Sequence, residues 1–409
     1  MTAPSAPPRS ASGADRLDAA WHAHRARVEA LRERMLASPL AADPADRVRA
    51  HAWLMQAQAA AYNLAIAPRS SHPKLLLSTV FEPNVYSWLL PNADFLYRYA
   101  FLDGGRRFRL RGTRGSAHFL EAQTIRGFWG DPDLKLLSSY DLGRFEAGPD
   151  GRLEIAVSAT KPSDCPNWIA IDPSSSMNTL ILREAFYDWS SERRAELSLE
   201  PEDGPLAPVE RSAEEFALRL DAASRMLDFC FQAFSGGLTQ EVLDAVGTNR
   251  FRLIDTSRDE HAANPSAGYV PAVYALAEDE ALVVEVAAPQ ARYWNIHLGD
   301  VWWQVTDYAN RQSSLNGRQV VADPDGVVRI VLSARDPGVA NWLDTAGIAR
   351  GVALLRWYFT NDYPAPAARV VRFDALPSEL PATTRRVSAE ERRSAIAARR
   401  AILQQRYGQ

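Results

Sequence analysis

Two stretches of this chain spell nearly the same phrase, and that repetition constrains the fold more than any other feature. "GPDGRLEIAVSATKPSDCPNW" occupies 148–168 and "DPDGVVRIVLSARDPGVANW" ends at Trp342. Pairing Gly151 with Gly326, Trp168 with Trp342 and Arg183 with Arg356 gives separations of 175, 174 and 173 residues. So small a drift is what loop-length changes produce in a duplicated domain, because a repeated unit keeps order, spacing and residue type together. In each copy Pro-Asp-Gly supplies a tight turn whose glycine is free to take positive φ, and a strand with one inward face follows. Each Asn-Trp then closes a loop before another strand, with Trp as a plug beneath the loop and Asn bonding the turn backbone.

Extended backward, the pairing sets "SAHFLEAQTIR" against "QARYWNIHLGD", so that Phe119, Glu121 and Gln123 fall opposite Tyr293, Asn295 and His297. Strand alternation puts each trio on one face. That face mixes polar and aromatic residues in both halves, which is how a shallow ligand site is often lined.

The rest of the chain supplies helices. Leu17, Trp21, Val28, Leu31 and Met35 recur at helical spacing, and a second helix opens at Asp43-Pro44 and turns Val48, Trp53, Ala57, Ala60 and Leu64 inward. The two form an antiparallel pair ahead of the first β-rich region. A capping box at Ser212 to Glu215 opens a helix striped with Phe216, Leu220, Ala223, Leu227 and Phe231, which Gly236-Gly237 stops. A shorter helix, "TQEVLDAV", ends at Gly247, and a second capping box at Ser388 to Glu391 opens an Arg-rich helix with few apolar anchors. The expected plan is mainly β: a tandem of two related antiparallel β-sandwich, jelly-roll-like domains at 84–200 and 249–374. A helical region at 15–83, a linker and connector helices at 201–248, and a helical tail at 375–409 surround them, behind a disordered lead at 1–14.

A length of 409 residues accommodates several such units, and a formal net charge of −4 with interspersed signs offers no single-sign field, so nucleic acid is not an expected partner. The first residues, rich in Pro, Ser and Ala, lack the apolar region of a signal peptide, and no stretch has the roughly 18 to 20 continuous apolar residues of a membrane span. Two cysteines, Cys165 and Cys230, build neither a disulfide framework nor a thiolate zinc site, which fits a reducing cytoplasm.

The stretches "NWIAIDPSSSMNTLILREAFYDW" and "ARYWNIHLGDVW", with "DYANRQSS" and "DPDGVVRIVLSARDPGVANWLDTAGIARGVALLRWY", resemble the bacterial domain-of-unknown-function families numbered twelve-fourteen and twelve-fifty-four. The second half is similar to twelve-fourteen over about 270–360, and the first half to twelve-fifty-four, more loosely, over about 84–200. The resemblance implies an all-β, jelly-roll-like domain and names no reaction or catalytic residue.

Motifs for nucleotide binding, zincin proteolysis and the α/β-hydrolase elbow are missing from the sequence. His297 with Asp300, on "NIHLGD", is the sharpest acid–base candidate, though residues three apart on a strand face oppositely unless a turn begins at Gly299. "DVWWQVTDYANRQ" clusters Trp302, Trp303, Asp307, Tyr308 and Arg311, which could stack a flat ligand and fix its polar groups; the two Trp rings are better explained as core, Asp307 and Tyr308 less easily so. Arg183 and Arg356 end matched strands and call for carboxylate partners, with Glu184, Asp188 and Asp362 near in sequence. The histidines are too isolated to suggest a metal site.

The expected function is a cofactor-independent enzyme using acid–base chemistry (hydrolysis, elimination or isomerisation) on a small, largely apolar or aromatic molecule. His297, Asp300 and Asp307 are its candidate catalytic groups, and Tyr293, Asn295, Trp302, Trp303, Tyr308 and Arg311 its candidate ligand contacts. A noncatalytic module for a carbohydrate or aromatic ligand, with Trp302, Trp303 and Tyr293 as platform, and a structural oligomer subunit are the alternatives. An enzyme should enclose titratable groups, a platform should expose its Trp rings, and a structural subunit should do neither. The cleft between the halves is the place to look first.

Overall fold

A computed structural model describes residues 13–70, 72–77, 89–203, 211–254, 264, 266–287, 290–360, 363–364 and 366–407. Of the expected lead, residues 1–12 lie outside these, as does Asp362. The β-rich regions follow the expected period-two pattern. The first contains β1 (Leu76–Leu77), β2 (Phe95–Leu102), β3 (Phe108–Thr113), β4 (Phe119–Arg126), β5 (Lys135–Asp141), β6 (Arg152–Ser158), β7 (Trp168–Ala170), β8 (Asn178–Ala185) and β9 (Glu196–Pro201). The second contains β10 (Ala267–Ala275), β11 (Glu280–Ala287), β12 (Tyr293–Asp300), β13 (Ser314–Asn316), β14 (Val327–Ser333), β15 (Trp342–Asp344), β16 (Arg350–Tyr358) and β17 (Ala367–Arg372).

These strands form four sheets, ordered β1-β2-β8-β4-β5 and β7-β6-β3-β9 in the first half and β10-β16-β12-β13 and β15-β14-β11-β17 in the second. Apart from β1, the second half repeats the strand order of the first. Neighbours are antiparallel except β6 with β7 and β14 with β15, which are parallel in both halves. Each half is a sandwich, its two sheets burying a shared core. Leu102, Leu120 and Leu182 meet Leu110, Ile155 and Val157 in the first. Val270, Ile296 and Leu355 meet Val284, Ile330 and Leu332 in the second. The fold is thus mainly β, built of several antiparallel sheets with added helices, as expected.

The repeated phrase has the same local structure each time. Gly151 and Gly326 take φ of 75° and 80°, closing the turns with bonds from Gly151 N–H to Gly148 O and from Gly326 N–H to Asp323 O, both 2.9 Å. Asn167 donates to Glu146 O (2.7 Å) and Glu154 O (3.1 Å) and accepts from Glu146 N–H (2.9 Å). Asn341 donates to Val321 O (2.7 Å) and Arg329 O (3.0 Å) and accepts from Val321 N–H (2.9 Å). The indole N–H of Trp168 donates to Ser158 O and that of Trp342 to Ser333 O, each at 3.1 Å.

The helices are α1 (Gly13–Ala37), α2 (Pro44–Ala61), α3 (Ala213–Phe234), α4 (Gly236–Val246), α5 (Leu376–Glu379) and α6 (Ala389–Tyr407). Asp43 and Ser212 cap α2 and α3 as expected. Gly236 opens α4 instead of ending a helix, since Ser235 alone breaks the chain direction. Trp21 and Val48, expected inward, are exposed. The principal neighbour of α1 is α3: Arg16–Glu214 (2.5 Å), Arg27–Asp221 (2.7 Å) and Arg34–Asp228 rise together along both helices, so the two run in the same direction. Their apolar faces, with Trp53 and Ala57 of α2 and Leu64 in the π-helical turn Tyr62–Ile66 that follows it, cover Phe101, Ile125 and Ile181 on one end of the β2-β8-β4 face.

Helix α6 uses arginines as its anchors. Arg392, Arg399 and Arg406 recur every seven residues on one face, and all three are buried. Arg392 bonds Gln312 Oε1 (2.6 Å) and Asp336 (3.0 Å) and lies 5.1 Å from the Trp342 ring. Arg399 bonds Tyr308 O (2.7 Å) and lies 4.4 Å from the Trp189 ring. Arg406 reaches Ala93 O (3.1 Å) over the rings of Phe186 and Trp189. The long stems pack while the planar heads bond carbonyls and stack on rings.

Candidate functional site

In each sandwich, one sheet turns its second face away from its own core, and these two faces meet. Alternation sends Phe95 and Tyr97 of β2, Phe119, Glu121 and Gln123 of β4, and Arg183 of β8 outward in the first half. In the second it sends out Tyr269 of β10, Tyr293, Asn295 and His297 of β12, and Arg356 and Tyr358 of β16. The faces touch through rings: Phe95 lies 5.2 Å from Tyr293 and 5.3 Å from Tyr358, and Phe119 lies 5.6 Å from Tyr358. At the rim, Arg292 pairs with Asp141 (2.7 Å) and sits over Phe119.

Register places the two arginines equivalently. Arg183 stands between Tyr97 and Glu121, and Arg356 between Tyr269 and Asn295. Beyond that symmetry the halves differ. Glu121 is fully buried, pairs with Arg183 at 3.5 Å, and accepts from Ser139 Oγ (2.7 Å) and Asn264 Nδ2 (2.6 Å). Burial opposes the charge of Arg183, but Glu121 with the phenols of Tyr358 and Tyr269 leaves its pKa raised. Where Glu121 stands in the first half, the second has the neutral Asn295. Arg356 instead donates to His297 Nε2 (2.5 Å) and to Leu90 O (2.8 Å), and no carboxylate pairs with it among the described residues. Glu184 and Asp188 are spent elsewhere, on Arg98 (2.9 Å) and Arg318 (3.1 Å).

A guanidinium only donates, so the Nε2 atom that faces Arg356 carries the lone pair and the ring proton is on Nδ1. His297 is therefore neutral; burial and the Arg356 charge push its pKa well below the ordinary value. Among the described residues its Nδ1–H has no partner, and neither end of the fully buried Gln123 amide has one. Burial raises the Tyr97 phenol to about 12, against the pull of Arg356 and Arg183, and holds Tyr358 well above its usual range. Tyr97, Arg183 and Tyr269, on this part of the face, keep a minor part of their surface exposed.

The other expected site residues are placed as follows. Tyr293 and Asn295 are on the shared face but engaged: Tyr293 donates to Asp94 Oδ2 (2.5 Å), and Asn295 donates to Asn92 Oδ1 (2.9 Å). Asp94 also accepts from Trp189 (2.6 Å) and Asn316 (3.0 Å), and burial raises its carboxyl despite these bonds and the Arg406 charge. Asp300 does not pair with His297, because β12 runs unbroken through Gly299 and leaves them on opposite faces. Its carboxylate accepts from Trp302 N–H (2.9 Å), Gln304 N–H (3.0 Å) and Gln304 Nε2 (2.7 Å), and burial raises its pKa to about 6. It thus caps the turn in which Trp303 takes φ of 63°.

"WWQVTDY" does not line one surface. Trp302 is buried in the helical core with its indole bonded to Asp46 O (2.8 Å), and Trp303 is buried with its own bonded to Thr239 Oγ1 (2.9 Å), so neither forms an exposed platform. Asp307 caps a turn through Asn310 N–H (2.8 Å), Tyr308 is buried beside Phe186 and Trp189, and Arg311 pairs with Asp344 (2.8 Å) on the surface. Residue-type reasoning passed over Tyr97, Tyr269, Asn92, Asp94 and Asn264. Tyr97 and Tyr269 have a signal in the sequence, since their separation of 172 residues (269 − 97) continues the repeat. Among the described residues, no three His, Cys, Asp or Glu side chains converge as metal ligands, and no helix is long and apolar enough to cross a membrane.

The family model described as "Protein of unknown function (DUF1214)" matches residues 275–362, where the resemblance to twelve-fourteen was read, covering most of the second sandwich. No curated protein matches the chain. A crystal structure of an uncharacterised protein from Burkholderia cenocepacia is similar over 89% of this chain and 100% of its own, with 26% identity and a TM-score of 0.81. A Vibrio parahaemolyticus protein aligns over 78% of this chain and 96% of its own, with 15% identity and a TM-score of 0.46.

Proposed function

We propose that the chain binds a small molecule with an apolar or aromatic body between the facing sheets of its two sandwiches. The observation that carries this is the set of buried polar groups there without partners among the described residues: both ends of the Gln123 amide and His297 Nδ1–H. An unsatisfied buried donor or acceptor costs about 1–3 kcal/mol, a penalty that a bound ligand removes. The rings of Phe95, Phe119 and Tyr358 beside Tyr97 and Tyr269 suit a flat apolar body. Acid–base catalysis by His297 has less support, because Arg356 occupies its lone pair, and Asp300 and Asp307 cap turns away from this face.

Identical strand order and matched Asn-Trp locks support an internal duplication, with the first sandwich allied to the twelve-fifty-four family. Two buried, unpaired cysteines are consistent with a cytoplasmic setting. The binding proposal is tested by screening aromatic metabolites by thermal shift and repeating the hits with Gln123→Leu and Tyr358→Phe. Ligand-induced shifts should shrink in both variants; hits that survive unchanged in both would place binding elsewhere and end the proposal.

A further inference from the structure

We infer that the molecule bound between the sandwiches carries one carboxylate, held by Arg356, and a neutral polar group read by Gln123 and His297. This rests on the proposed ligand site and adds the ligand's charge and polarity. Two arginines, Arg183 and Arg356, face the site, and one carboxylate, Glu121, pairs with Arg183. In the half without that acid, the equivalent position is Asn295, and the neighbouring imidazole is neutral because its lone pair accepts from Arg356. Arg356, 6% exposed, therefore has no carboxylate paired with it among the described residues; Asp94, bonded to Tyr293 on the same face, is already engaged by Trp189 and Asn316, and burial favours its neutral form. An uncompensated buried charge is costly, and an anionic ligand is the ordinary way to complete such a site.

The chemistry narrows the anion. One excess charge matches a carboxylate, which is a monoanion at neutral pH, better than a phosphate ester, which approaches two charges. A guanidinium presents a planar fork suited to carboxylate oxygens. His297 Nε2 and Leu90 O take one nitrogen each, Nη1 and Nη2, and leave further N–H groups to donate. His297 Nδ1–H offers a donor that cannot itself become an acceptor while Arg356 holds Nε2, so it selects an acceptor such as a carbonyl or hydroxyl oxygen. Gln123 offers both a donor and an acceptor.

Isothermal titration with matched probes tests this: benzoate, phenylacetate, 3-phenylpropionate and 4-hydroxybenzoate, each against its own amide, and phenyl phosphate. At least one acid should bind tenfold or more tightly than its amide. Arg356→Gln should abolish that ratio while leaving the amide's affinity within about threefold. Arg356→Lys keeps the charge without the fork and should retain part of the ratio, and it serves if the Gln variant fails to fold. Equal affinity of acids and amides, or a ratio untouched by either variant, overturns the carboxylate while leaving the ligand site standing. Tighter binding of phenyl phosphate than of every acid overturns the monoanion. If neither acids nor amides bind, this inference falls together with the site it rests on.

Discussion

Replacing Asn341 with Ala takes away a side chain that holds three backbone groups at once. The Val321 and Arg329 carbonyls lose their donor and Val321 N–H loses its acceptor, at a residue 5% exposed. At about 1 kcal/mol net per bond, the loss is about 3 kcal/mol. Asn167→Ala removes the corresponding three bonds at Glu146 and Glu154, and should cost the same within about 1 kcal/mol. Asn341→Asp should be at least as costly as Ala, because a carboxylate keeps the bond from Val321 N–H but turns acceptors toward two carbonyls. Urea denaturation followed by Trp fluorescence and by far-ultraviolet circular dichroism reads these differences; both probes are needed because two sandwiches need not unfold in one step. A loss below about 0.5 kcal/mol at either Asn would refute the idea that the amides lock their loops.

Asp300 gives a pH signature. Its carboxyl titrates near 6 in the fold against an ordinary 3.8, so between those values the native state keeps a proton that the unfolded chain has released. Stability should therefore fall as pH rises from about 4 to about 6, by about 3 kcal/mol in all, and Asp300→Asn should flatten that part of the profile. Parallel profiles for the two proteins would rule out this assignment. The two indoles should respond unequally: Trp342→Phe should cost about 1 kcal/mol more than Trp168→Phe, because Trp342 is buried beneath Arg392 whereas Trp168 is half-buried. Equal midpoints for the two variants would show that the guanidinium adds nothing.

Period-two alternation with the repeat makes the shared face readable: Phe119, Glu121 and Gln123 match Tyr293, Asn295 and His297 in the sequence alone. What that matching lacks is strand order. Glu121 reaches Arg183 because β4 lies beside β8, a neighbour 62 residues away, whereas Glu184, adjacent in sequence, points to the opposite face and meets Arg98. Trp302 bonds Asp46 across 256 residues, so no local pattern separates a platform from a plug. The partners of Tyr293 and Asn295 come from Asn92 and Asp94, ahead of β2, where irregular backbone leaves no periodicity to follow. The α6 arginines leave a trace, a seven-residue spacing, but a reading that looks for apolar anchors finds few in this helix.

Helix α6 touches both sandwiches, Arg392 on the second, Arg406 on the first, and Arg399 reaching Trp189 of one and Tyr308 of the other. It also follows both in chain order, so during synthesis each sandwich can fold from its own strands before the strap that joins them has left the ribosome. The strap's own bonds to the two sandwiches, at Gln312, Tyr308 and Ala93, then form after the strands they hold. A nascent chain halted before Ala389 would carry the strands of both sandwiches without the helix that spans them.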